Sequence, residues 1–182
     1  MALTFTPFPD IGNKLPEFSL PAVDGKTYSS KDLPKDTPVV VMFICNHCPY
    51  VQAIEERLIT LGRDLKAQGI PVLGICSNDE VSHPEDSFAN LKKRSEEMNY
   101  TFPYLHDKSQ SVAHQFGAVC TPDFFVYDKN HKLAYRGRLD DSWKDASKVT
   151  RRELFEAVIE LANNKPISTE QTASMGCSIK WI

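Results

Sequence analysis

Pro38-Val39-Val40-Val41-Met42-Phe43-Ile44-Cys45-Asn46-His47-Cys48-Pro49 is the stretch on which the reading of this chain turns. Its first part is a short, unbroken apolar run that is β-branched at the start. Such a run fits a strand buried on both faces, as in a parallel sheet. Two cysteines three residues apart follow where the run ends. Pro49 then suits the first turn of a helix, where no N–H is required. Val51, Ile54, Leu58, Leu61 and Leu65 recur at spacings of three and four, the mark of one apolar helix face. Gly69 stands where a helix stop is expected.

Working outward, residues 1–37 form a lead-in rich in proline and turn formers, with a short apolar piece at Phe18-Ser19-Leu20 and a turn at Asp24-Gly25. A second buried strand is expected over residues 70–76. Ser82 with Glu85 reads as a capping box for a helix carrying Phe88, Leu91 and Met98. A short helix over 109–116 should end at Gly117. Phe124-Phe125-Val126-Tyr127 and Leu133-Ala134-Tyr135 flank a turn and predict a hairpin. Thr150 with Glu153 reads as the cap of a last helix bearing Leu154, Phe155, Val158 and Leu161. The tail, residues 165–182, is polar and closes on Cys177-Ser178-Ile179-Lys180-Trp181-Ile182. This order predicts an α/β fold with a central mixed sheet and helices on both faces. Functional groups in such sheets collect at the carboxyl ends of strands, where Cys45 stands.

The 182 residues fit a single domain, 1–182, with a sizeable core. The composition, 41% hydrophobic and 25% charged, is ordinary for a soluble globular protein. A net charge of -3 gives no footprint for nucleic acid or an anionic membrane. The longest apolar run, residues 39–45, is too short to span a bilayer. The first residues lack a basic region and a long apolar region, so the expected location is cytoplasmic. Five cysteines, an odd number, argue against a framework of structural disulfides.

Cys45-Asn46-His47-Cys48 at a strand-to-helix junction has a physical logic. A free thiol is only about 3% ionised at pH 7, and a helix N-terminus lowers thiol pKa values to roughly 3.5–7.5. Cys45 is therefore expected to be the attacking thiolate, with Cys48 resolving the mixed disulfide. A protonated His47 between them would favour the Cys45 thiolate; otherwise it is a solvent-facing imidazole. Cys45, His47 and Cys48 also offer ligands to zinc or copper. A structural zinc needs four ligands, however, and no second Cys-x-x-Cys or His-x-x-x-His is present. Cys177 reads either as a third thiol folded over the pair or, preferably, as a small residue packed beside Trp181. Cys76 and Cys120 read as buried thiols.

The chain resembles the thioredoxin superfamily, and most closely its peroxiredoxin-like AhpC/TSA and redoxin branch, of the thiol–disulfide isomerase type. The likeness covers nearly the whole chain. It rests on Phe18-Ser19-Leu20 with Asp24-Gly25-Lys26, the strand into Cys45-Asn46-His47-Cys48-Pro49, and Gly74-Ile75-Cys76-Ser77-Asn78-Asp79. Thr121-Pro122-Asp123-Phe124-Phe125-Val126 and the closing Gly176-Cys177-Ser178-Ile179-Lys180-Trp181 complete it. The resemblance implies a thioredoxin-like fold and a cis Thr121–Pro122 bond facing the cysteines. It also implies that the backbone of Thr121 receives an extended substrate segment by strand addition. Two departures bear on activity. The peroxidatic Pro-x-x-x-Thr/Ser-x-x-Cys is missing, since Val41 and Cys45 fill the Pro and Thr positions before Cys48. Pro122 displaces the family's active-site arginine, for which Arg136 or Arg138 could substitute. No acid lies in residues 39–44 to take the Cys48 proton.

The expected function is thiol–disulfide oxidoreduction through Cys45 and Cys48, supported by Asn46, His47, Thr121 and Pro122. The partners would be a protein or small-thiol disulfide and a redox partner, with no cofactor or metal. The alternatives are a peroxiredoxin-like peroxide reductase and a metal-binding module built on Cys45, His47 and Cys48.

Overall fold

A strand that is apolar at every position must be covered on both faces, and β4 (Val39–Phe43) is buried throughout. In the computed structural model, which describes residues 3–168 and 170–182, β4 is the middle of a five-stranded sheet. It pairs in parallel with β5 (Val72–Cys76) and antiparallel with β8 (Asp123–Tyr127). β6 (Tyr104–His106) extends the sheet beside β5, and β9 (Leu133–Gly137) beside β8. The order is β6-β5-β4-β8-β9, the mixed sheet expected from the strand–helix pattern and the hairpin.

Alternation along β4 divides the core in two. Val40, Met42 and Ile44 point to one face, with Phe124 and Val126 of β8. There they meet Leu58, Leu61 and Leu65 of α2 (Glu55–Ala67) and Leu154 and Val158 of α5 (Glu153–Ala162). Val39, Val41 and Phe43 point to the other. They pack with Val112 and Phe116 of α4 (Ser111–Phe116), and with Phe18 and Leu20 from the hairpin of β2 (Ser19–Pro21) and β3 (Thr27–Ser29). Helices therefore cover both faces.

Several local expectations are corrected. The helix after the cysteines is two helices, α1 (Pro49–Gln52) and α2, broken at Ala53–Ile54. Its apolar face survives the break, because Val51, Ile54, Leu58, Leu61 and Leu65 are all buried. Ser82 does not cap a helix. Asp79 takes its N–H at 3.1 Å, and α3 (Phe88–Glu97) begins only after Ser87. Thr150 is bound by Asp141, and Glu153 pairs with Arg138 at 2.7 Å instead of reaching back. β6 escaped notice because three residues carry no readable period.

The largest departure is the tail. Residues 175–178 form β10 (Met175–Ser178), which lies antiparallel between β1 (Leu3–Phe5) and β7 (Cys120–Thr121). Gly176 permits this seat: a Cβ there would stand 1.9 Å from the Thr121 carbonyl oxygen, a backbone atom. Gly176→Ala should therefore lift β10 from β7 and cost about 1–3 kcal/mol. Urea unfolding measures the cost, and an unchanged midpoint would show that β10 is not held against Thr121. Among the described residues no helix is long and apolar enough to cross a membrane.

Candidate functional site

β4 ends just before Cys45, a two-residue loop follows, and Cys48 is the N-cap residue of α1. Both sulfurs converge on Thr121, which the cis Thr121–Pro122 bond follows. Cys45 Sγ lies 3.2 Å from Thr121 Oγ1, and Cys48 Sγ donates to the Thr121 carbonyl at 3.1 Å. The two cysteines thus share the two oxygens of one residue that is 76 and 73 positions away in sequence. Asn46 ties the loop down, its amide donating to the carbonyls of Glu85 at 2.9 Å and Asn90 at 3.0 Å.

Two expectations fail here. Neither sulfur stands on an open edge, for Cys45 is 1% and Cys48 0% exposed. Nor is Cys45 the residue at the helix start; that place belongs to Cys48, and α1 is only one turn long. Burial pushes the Cys45 thiol well above its ordinary value, and its hydrogen bond to Cys48 and the nearby Asp86 charge push the same way. Cys48 is pulled down. The Cys45 thiol donates to it, against the penalty of burial, and the Cys177 side chain and N–H add further donation. Burial, and the neighbouring Cys48, raise Cys177 to about 12. The Thr121 carbonyl opposes an anion on Cys48, since it can only accept. Several donors against one acceptor leave Cys48 the sulfur that ionises first, and on ionisation its bond to the carbonyl is given up. The three thiols then share one negative charge and titrate together.

Sequence reasoning missed an acid. Asp86, fully buried, stands in a single turn of 3-10 helix before α3. It takes the Asn46 N–H at 2.8 Å, the Asn78 amide at 2.8 Å and His47 Nδ1 at 2.5 Å. Burial alone would raise its carboxyl, but His47 and Asn78 hold it below the ordinary value. His47 is raised in turn, chiefly by its hydrogen bond to Asp86. Its ring packs against that of His83, tilted by 33°, with centroids 4.5 Å apart. His47 is thus neither a solvent-facing imidazole nor a direct partner of Cys45. Nothing in the sequence around Asp86 marks it, because two adjacent acids in a turn, Glu85 and Asp86, have no period or spacing that singles one out.

Other candidates fall elsewhere. The ligand atoms of Cys45, His47 and Asp86 lie within 4.8 Å of one another, so among the described residues the cluster with metal-ligand chemistry includes Asp86 and not Cys48. Ligand atoms around a tetrahedral ion stand roughly 3.3 Å apart. The 2.5 Å His47–Asp86 contact is therefore that of a hydrogen-bonded ion pair. Arg136 is paired with Asp123 at 2.8 Å and Arg138 with Glu153 at 2.7 Å, so neither replaces the arginine displaced by Pro122. Trp181 stacks on His114 at 4.2 Å, while Cys177 lies opposite Thr121 in the β10–β7 ladder. The preferred reading of Cys177, packing beside Trp181, is thus replaced by a place at the pair. β10 also occupies the edge of Thr121 expected to receive a substrate strand. A largely apolar cleft of about 180 Å³ is lined by Tyr50, Pro122, Phe124, Leu139, Trp143 and Met175; Tyr50 and Pro122 lie within two residues of Cys48 and Thr121 in the chain.

Comparison with known proteins places the chain in a family and agrees with its fold. The profile described as AhpC/TSA family matches residues 11–136. The chain is similar to an uncharacterized conserved protein from Geobacillus kaustophilus, at 40% identity over 100% of this chain and 97% of that one, with a TM-score of 0.93. It is similar to a hypothetical protein from Sinorhizobium meliloti 1021, at 37% identity over 98% of each chain and a TM-score of 0.93. A putative thioredoxin from Neisseria meningitidis shares the fold, at 23% identity over 70% of this chain and 79% of that one, with a TM-score of 0.58. No curated protein matches in sequence.

Proposed function

This chain belongs to the AhpC/TSA family, and from that membership we propose that it is a thiol–disulfide oxidoreductase whose redox pair is Cys45 and Cys48. Family and fold make it a thiol-based oxidoreductase of the thioredoxin and peroxiredoxin type. The finer reading is carried by one observation: both sulfurs lie on the two oxygens of Thr121.

The Cys48 thiolate attacks one sulfur of a substrate disulfide. The substrate's other sulfur leaves and takes a proton, and a mixed disulfide on Cys48 remains. Cys45 then attacks the Cys48 sulfur, the second substrate thiol departs, and a Cys45–Cys48 disulfide closes. Each turnover moves two electrons from the pair to the substrate. Asp86 favours the protonated form of His47, which in that form offsets the negative charge that gathers at Cys48. Asn46 positions the loop between the cysteines, and Thr121 and Pro122 form the wall against which the sulfurs rest. Because both sulfurs are buried, attack requires a local opening. The apolar cleft along Tyr50 and Pro122 receives the part of the substrate next to its disulfide.

The test is a thiol count. Of five thiols per chain, treatment with oxidised glutathione should remove two, in a bond that includes Cys48. Hydrogen peroxide at equal concentration should be consumed far more slowly than the disulfide. Five surviving thiols would sink the proposal, and preferential use of peroxide would make the protein a peroxidase.

A further inference from the structure

We propose that the C-terminal strand β10 is the resident exchange partner of the redox pair, with Cys177 forming a disulfide to Cys48 and so discharging whatever Cys48 carries. This rests on the reading of Cys45 and Cys48 as redox-active.

The geometry supplies the argument. β10 adds to the edge of β7 in the manner of a bound substrate strand, and its register sets Cys177 directly opposite Thr121. Thr121 is the residue that both sulfurs of the pair touch. α1, which Cys48 caps, packs on the same strand. Gly176 lets the strand approach so closely that no side chain fits between it and the Thr121 carbonyl. β1 covers the far edge of β10 and holds it in place. Cys48 is the sulfur common to both neighbours, lowered by donation from the Cys45 and Cys177 thiols. The proton on Cys177 is held there partly by the negative charge on Cys48, which vanishes once Cys48 enters a disulfide.

The step balances without an added reagent. Cys177 Sγ attacks Cys48 Sγ in the mixed disulfide, a Cys48–Cys177 bond forms, and the bond from Cys48 to the substrate sulfur breaks. The departing thiolate takes the proton that Cys177 gives up. The substrate disulfide has gained two electrons, and Cys48 and Cys177 have lost them. A protein strand cannot dock at this edge while β10 fills it, so the substrate presents a small or flexible disulfide to the cleft.

Oxidised glutathione is the probe, with acid quenching, alkylation and peptide mapping of the full chain. Cys45→Ser should lose two thiols, give a cross-linked Cys48–Cys177 peptide and retain no glutathione. Cys45→Ser with Cys177→Ser should retain one glutathione on Cys48. Cys45→Ala repeats the first result if serine disturbs the loop. Should Cys45→Ser hold glutathione on Cys48 as fully as the double variant, or join Cys48 to Cys120, the proposal is overturned and the Cys45–Cys48 reading stands. A wild-type chain that loses no thiol overturns both.

Discussion

Cys48→Ser is expected to lower disulfide exchange by more than about 10³-fold, to the rate of the uncatalysed reaction. A serine hydroxyl is not ionised near neutral pH and is a weak nucleophile. The remaining thiols do not compensate, for burial keeps the protons on Cys45 and Cys177. Cys45→Ser should fall less far, because a second donor, Cys177, still faces the Cys48 sulfur. The same asymmetry sets the pH profile. With the Cys48 pKa lowered, the thiolate persists through neutral pH, so the wild-type rate should stay level there and drop only on acidification. Stopped-flow rates with a small disulfide between pH 4 and 9 measure both effects. If Cys48→Ser formed a mixed disulfide on Cys45 at the wild-type rate, the order of attack would be reversed.

Asp86→Ala should destabilise the fold by about 3–5 kcal/mol, since it leaves buried donors and a charged imidazole without their acceptor. For a chain of this size that is a fall in midpoint of roughly 6–20 °C. The loss depends on pH in a way that follows from the two partners. His47 has a raised folded pKa, so its contribution is full below the ordinary imidazole value and fades as pH rises through the folded one. Asp86 has a lowered folded pKa, so its contribution is full above the ordinary carboxyl value and fades as pH falls through the folded one. The pair stabilises most between those limits, in the mildly acidic range. Thermal unfolding of wild type and variant should therefore differ most there and converge towards both extremes. A constant difference across the range would show that packing, and not the ion pair, carries the effect.

The pair itself was legible because an apolar run, Val39 to Ile44, cannot end in water without a turn, and the cysteines stand in that turn. Their relative acidity was not. A cysteine near a helix start is read as the thiolate when the helix is long; here it is one turn, and neighbouring thiols set the charge instead. The residues that complete the site arrive from afar. Asp86 lies 40 positions from the Asn46 N–H it holds, and Thr121 lies 73 positions from Cys48. The tail looked polar because half of residues 165–182 are Lys, Ser, Thr, Glu or Gln. A strand needs only backbone partners, however, and β1 and β7 provide them.

Local pattern was enough to establish the α/β class, the buried central strand and the position of the two cysteines, because periodicity and apolar runs act between neighbours in the chain. Packing alone decided that Asp86 grips His47, that β10 closes over Thr121, and that Cys48 is lowered while Cys45 is raised. Those outcomes depend on burial and on donors brought in from distant segments, and desolvation has no signature in a string of residues until the chain has folded around it.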